Sequence, residues 1–231
     1  MRRFRLAFLL LLPFVVGACS SQPGYTVVSQ DPSFSQLDLS EARIAVVPPA
    51  DGLRFSRAAI AVVDNPAQTA MDIMEGLDEC FRGDFPCCTS IEASVRAHCR
   101  RNIRYLASEE DLAEVRTTLV FTEGSYGLLE ASIVRPAALR ELSEARSWDY
   151  LVFLEDLMVD QYYTDAYEPI TGSLRTKGDL KLVSQAFLVS PATGTVLYHG
   201  YVTGEADQPL YSKRMEHSFV GHLVRGPLGL R

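Results

Sequence analysis

The chain has 231 residues, 47% hydrophobic and 22% charged, which is apolar enough to bury one sizeable core. Its formal charge is -7, and because residues 1–18 hold three arginines and no acid, the remainder carries 19 basic against 29 acidic residues, a formal -10. This composition excludes a disordered chain and a polytopic membrane protein, and the sign of the charge excludes a nucleic-acid binder.

Arg2, Arg3 and Arg5 precede an apolar run from Leu6 to Val16, followed by Gly17-Ala18-Cys19. A basic start, a short apolar centre and small residues before a cut site describe a secretory signal peptide over residues 1–18. The run is too short to cross a bilayer as a helix, which takes roughly 20 residues. Val16-Gly17-Ala18-Cys19 resembles the lipobox of bacterial lipoproteins. That resemblance implies that Cys19 receives a diacylglyceryl group, with palmitate among its acyl chains, and becomes the first mature residue. Ser20 stands where an Asp favours retention in the inner membrane, so the resemblance points to the periplasmic side of the outer membrane. Residues 19–42, rich in Ser, Gln, Pro and Asp, read as the lipidated cysteine and a flexible tether, with a root-mean-square reach of about 26 Å. The alternative is that part of Tyr25 to Val28 pairs as an edge strand.

Residues 43–231 read as a single periplasmic α/β domain. Ile44-Ala45-Val46-Val47 before Pro48-Pro49 suits a strand buried on both faces. Phe55 to Val63 is ambiguous between helix and strand. Asn65-Pro66 starts a helix with a stripe of Ala70, Ile73, Met74, Leu77 and Phe81. A second stripe, Ile91, Val95 and Cys99, follows Cys87-Cys88. Arg104 to Leu106 reads as a short strand, Leu112, Val115 and Leu119 as a helix opened by Ser108 and Asp111, and Pro136 to Arg146 as another. Tyr150 to Val159 is the strongest strand and belongs at the centre of the sheet. Gln161 to Lys177, polar and aromatic with Pro169 and Gly172, reads as a long loop or an irregular hairpin tip. Asp179 to Ser190 and Thr195 to Glu205 form a hairpin around Pro191-Ala192-Thr193-Gly194. Asp207 caps a last helix carrying Tyr211, Met215, Phe219 and Leu223, stopped by Gly226-Pro227. The fold class expected from this order is an α/β sandwich (α+β), a mixed β-sheet flanked by helices.

Three segments carry a family resemblance: Ile44 to Pro49, Trp148-Asp149-Tyr150-Leu151-Val152, and Leu180 to Val196 with Ala192-Thr193-Gly194 at its turn. They resemble landmarks of an envelope lipoprotein group: an early "I-A-V-L-P" strand, a "G-A-D-Y-L-V" strand after a helix, and an "L-V-D-x-x-T-G" hairpin. The group includes the curli-secretion lipoprotein and the activator of penicillin-binding proteins, and shares the fold of the amino-terminal domain of the Tol-system propeller protein. Ser147-Trp148 replaces Gly-Ala here, Ser190 replaces the Asp, and the Cys80 to Cys99 insertion is not a landmark of the group.

No nucleophile elbow, P-loop or dinucleotide turn is present in the sequence, and Gly124-Ser125-Tyr126-Gly127 reads as a loop. His217 and His222 are five apart, unlike a helical metal pair, and Glu155 and Asp156, adjacent on a strand, are expected on opposite faces. Glu109-Glu110-Asp111 reads as a solvated first turn of a helix. Cys80, Cys87, Cys88 and Cys99 are an even set in an exported chain and suggest two disulfides stapling a helical hairpin, Cys80 and Cys99 each taking one of the central pair. The rival is zinc held with His98, although the spacing fits no common pattern. The expectation is a non-enzymatic adaptor or assembly factor, without metal or cofactor, binding an envelope protein through Tyr162, Tyr163 and Tyr167. The alternative is a structural subunit of an oligomeric outer-membrane secretion channel, a homo-oligomer; an enzyme would have only Glu155, Asp156 and His199 on its core strands.

Overall fold

The computed structural model describes residues 24–82, 97, 101–106, 109–168, 173–205 and 215–229, and its class is α+β. In chain order the strands are β1 (Tyr25–Gln30), β2 (Ile44–Val47), β3 (Arg54–Phe55), β4 (Ile103–Tyr105), β5 (Leu119–Glu123), β6 (Leu129–Ile133), β7 (Tyr150–Glu168), β8 (Ser173–Ser190) and β9 (Thr195–Glu205). The described helices are α1 (Arg57–Ile60), α2 (Pro66–Arg82), α3 (Glu109–Arg116), α4 (Pro136–Arg146) and α5 (Met215–Arg225). Seven strands make one mixed sheet in the order β1-β9-β8-β7-β2-β4, with β3 also on β7, and β5 pairs with β6 in a separate antiparallel hairpin. The β2, β3 and β4 pairings are parallel and the rest antiparallel.

Burial on both sides explains the unbroken apolar runs of β2 and β7. On one face Val46, Val152, Leu154 and Leu188 pack with Leu77 and Phe81 of α2 and with Phe219 and Leu223 of α5. On the other Val47, Leu151, Phe153 and Phe187 pack with Val115 of α3, Leu139 of α4 and Leu119 of the hairpin. The parallel register of β2 with β7 is tied at its start by a carboxylate: Asp149 accepts from the Arg43 backbone N–H at 2.8 Å and from its guanidinium at 3.2 Å. This hydrogen bonding holds the Asp149 carboxyl below its ordinary range.

Local chemistry accounts for the helix and turn boundaries. Asn65 Oδ1 accepts from the Gln68 N–H at 3.2 Å, and Pro66 occupies the first turn of α2. α4 ends at Ser147, whose φ of 60° is the left-handed value that favours glycine, so the residue replacing the group's Gly sits where a Gly is wanted. Gly194, at φ 66°, makes the expected turn between β8 and β9.

The structure decides three open readings and corrects one helix boundary. Over residues 24–42 the edge-strand alternative holds in place of the flexible tether: β1 pairs with β9, and Leu39 and Ala42 are buried, because that edge and the sheet's rim offer partners to this polar-looking stretch. Leu119 leaves α3 and begins β5. Phe55 to Val63 resolves into the end of β3 and α1, with the Ser56 hydroxyl capping α1 by accepting from the Ala59 N–H. Of the two readings of Gln161 to Lys177, the described residues fit the hairpin and not the long loop: β7 and β8 remain paired from Gln161 with Leu180 to Glu168 with Ser173.

Candidate functional site

The chain leaves β2 at Pro48 and rejoins the edge of β7 at Arg54, so β2 is last paired at Phe153 and β3 first at Met158. In the notch between lies a β-bulge, where the β7–β8 register shifts between Glu155 and Met158. Asp156 takes φ 57°, and Ser184 Oγ donates to the Glu155 carbonyl at 2.8 Å. The bulge inserts one residue into the alternation. Leu154 and Leu157 consequently share the α2/α5 face, while Asp156, which strict alternation would bury there, joins Glu155 in lining a cleft of about 590 Å³. The expectation that the two carboxylates lie on opposite faces is therefore wrong, and the bulge is the reason.

Glu155 is 8% exposed. Arg116, from the last turn of α3, reaches its Oε1 at 3.3 Å and also donates to the Pro48 carbonyl, tying α3 to the notch. Burial pushes the Glu155 carboxyl up to about 7, against the pull of Arg116. Asp156 pairs with Arg54 at the outer lip. Arg54 and Arg116 were missed by the sequence reading. The available signal was the slipped phase of Val152, Leu154, Leu157 and Val159.

Beside the notch, Gln185 is buried and fastens the β5–β6 hairpin to the sheet. Its Nε2 donates to the Gly127 carbonyl at 3.0 Å, its Oε1 accepts from the Leu129 N–H at 2.9 Å, and His199 Nε2 lies 3.1 Å from the same oxygen. His199 stacks on Phe187 at 4.1 Å between centroids, and burial lowers its pKa, favouring the neutral ring. The arrangement reads as a structural polar tie. No group of three or more His, Cys, Asp or Glu suited to a metal ion occurs among the described residues.

The expected partner-binding tyrosines are on the β7–β8 ribbon. In the backbone register Tyr162 pairs with Asp179, Tyr163 with Gly178 and Tyr167 with Leu174. The Lys181 ammonium lies 5.9 Å from the centroid of the Tyr162 ring. Beyond Lys181, which pairs with Glu205, and Val159, which pairs with Phe55, no described strand flanks the ribbon. Cys80 is buried near the end of α2. Cys19, Cys87, Cys88, Cys99 and His98 lie outside the described residues, and with them most of the expected staple. His217 is buried on α5, and His222 Nδ1 donates to the Thr203 carbonyl at 2.6 Å, so these two serve different surroundings.

No protein-family model matches the chain, and no curated protein matches it in sequence. Solved structures similar to it include a PelC dodecamer from Paraburkholderia phytofirmans, at 12% identity and a TM-score of 0.39 over 90% of this chain and 97% of that one. Another is the hypothetical protein CT253 from Chlamydia trachomatis, at 12% identity and 0.33 over 78% and 88%. A third is the lipoprotein GNA1162 from Neisseria meningitidis, at 14% identity and 0.28 over 81% and 99%. At these values the likenesses carry no argument about what the chain does.

Proposed function

We propose that the chain is a lipoprotein anchored through Cys19 to the periplasmic side of the outer membrane, acting as a non-enzymatic adaptor or assembly factor for an envelope complex. The observation that supports this reading is the β7–β8 ribbon. An isolated two-stranded ribbon is marginal in water, and its free edges are ready templates for pairing, so a ribbon continued past the body of the sheet is suited to a partner. Tyr162, Tyr163 and Tyr167, all on the first ribbon strand, are aromatic residues of the kind enriched at interfaces.

The second reading, a subunit of an oligomeric secretion channel, gains from the same ribbon, because such a channel needs membrane hairpins with about 9 to 11 residues per strand. The sequence weighs against it. Asp165 and Glu168 in one ribbon strand and Arg175 and Lys177 in the other leave no unbroken run of alternating apolar residues for a membrane band.

The test is crosslinking in native envelopes followed by pull-down. The triple variant Tyr162→Ala/Tyr163→Ala/Tyr167→Ala should lose a partner crosslink that the wild type forms, with melting temperature nearly unchanged. Equal capture by wild type and variant would refute the ribbon tyrosines as partner surface, and a self-crosslinked ladder would decide for the channel subunit.

A further inference from the structure

We propose that the notch at the β7 bulge is a binding site for an organic cation, the ammonium or guanidinium end of a lysine or arginine side chain presented by a partner protein. This site is separate from the ribbon, and it depends neither on the ribbon as partner surface nor on a lipid at Cys19.

Charge decides the sign of the ligand. Four carboxylates line the cleft, those of Asp51, Glu123, Glu155 and Asp156, against the two guanidiniums of Arg54 and Arg116. Both cations are already engaged, Arg54 with Asp156, and Arg116 with Glu155 and the Pro48 carbonyl. Asp51 and Glu123 have no hydrogen-bond or ion-pair partner among the described residues, so the cleft keeps a formal surplus of two negative charges. Low-dielectric walls focus such a field on whatever enters. The bond from Arg116 uses only Oε1 of Glu155, and Oε2 of this buried side chain takes no hydrogen bond from a described residue. A buried carboxylate with a free oxygen is completed by an incoming charged N–H donor.

Size and lining decide the class. The cleft's volume of about 590 Å³ is that of a site for an organic ligand, and no three His, Cys, Asp or Glu are grouped to hold a metal ion among the described residues. The β5–β6 hairpin contributes an apolar wall, Phe121 and Leu129, both half-buried. A cation on an aliphatic stem matches this combination: the stem lies along the wall while the charged end meets the carboxylates. The rim favours a protein as the source. Tyr126 directly precedes Gly127 of the lining and is 100% exposed, on a turn that Gln185 pins to the sheet through the Gly127 carbonyl. A tyrosine held out on a fixed turn offers contact area to a protein surface and little to a small free amine.

The full chain in detergent is titrated with acetyl-Gly-Lys-Gly-amide while NMR follows the Gly52, Gly127 and Leu129 amides. These should shift saturably, whereas the same peptide with norleucine, which keeps the stem and lacks the charge, should leave them in place. Asp51→Asn/Glu123→Gln, two nearly isosteric changes at exposed positions, should weaken binding by about tenfold or more. Glu75→Gln/Glu144→Gln removes as much charge from outside the cleft and should leave binding unchanged. Glu123→Gln alone gives the same reading should the double variant fail to fold. No saturable shift, an equal response to the norleucine peptide, or equal weakening by the two double variants overturns the site. Butylammonium binding as tightly as the lysine peptide, with Tyr126→Ala affecting neither, overturns the protein source in favour of a free amine.

Discussion

Replacing Glu155 with Gln isolates the energetic consequence of putting a carboxylate in the notch. Its carboxyl is raised from 4.5 to about 7, first by burial and least by the neighbouring Asp51 charge, with Arg116 pulling the other way. A raised folded-state pKa means that the folded chain holds its proton more tightly than the unfolded chain. The stabilising contribution is complete below pH 4.5 and is lost as pH rises through about 7. Roughly 2.5 pH units at 1.4 kcal/mol each make the full loss about 3.5 kcal/mol, an upper figure because the cleft is open to water that solvates part of the charge. Urea unfolding of wild type and Glu155→Gln at pH 5 and pH 8 measures it. The variant should gain about 2.5 kcal/mol on the wild type between those pH values, less than the full loss because pH 5 already lies above the unfolded pKa, whatever constant amount the lost Arg116 ion pair costs. A difference between the two proteins that does not change with pH, or that changes in favour of the wild type, would refute the reasoning.

Ser147→Gly should raise stability by about 1 kcal/mol in thermal unfolding, since the residue ends α4 at φ 60°. Gly204→Ala should cost about 1–3 kcal/mol in the same assay, because its Cβ would sit 2.4 Å from the Met215 carbonyl oxygen and 2.6 Å from the Phe219 nitrogen, both backbone atoms of α5. Gly200→Ala would place a Cβ 2.4 Å from the Thr26 carbonyl oxygen, so hydrogen exchange should show β1 amides losing protection while β7 keeps its own. Non-reducing peptide mapping should join Cys80 and Cys99 each to one of Cys87 and Cys88, the two short closures contributing about 3 kcal/mol each in the chain-entropy model; free thiols with stoichiometric zinc would decide for the metal.

Local patterns made much of the fold readable. The apolar run Ile44 to Val47, the stripe Ile73, Leu77 and Phe81, the Pro136 start and the Gly194 turn each follow from constraints acting within a few residues, and all stand where the sequence puts them. The targeting segment and the cysteine set are likewise sequence statements, made on spacing and residue type alone. What local pattern could not supply was the fate of polar segments whose partners are distant in the chain. Residues 25–30 are held by an edge that forms only when β9 is in place, and Tyr162 to Lys177 is a ribbon because β7 and β8 are already paired below it. The Glu155 and Asp156 notch is of the same kind. The alternation signals that a phase slips between Leu154 and Leu157. Only the tertiary structure decides that the slip is a bulge and that Arg116, 39 residues away, reaches Glu155 there, because a buried charge finds its partner across packed elements and not along the strand.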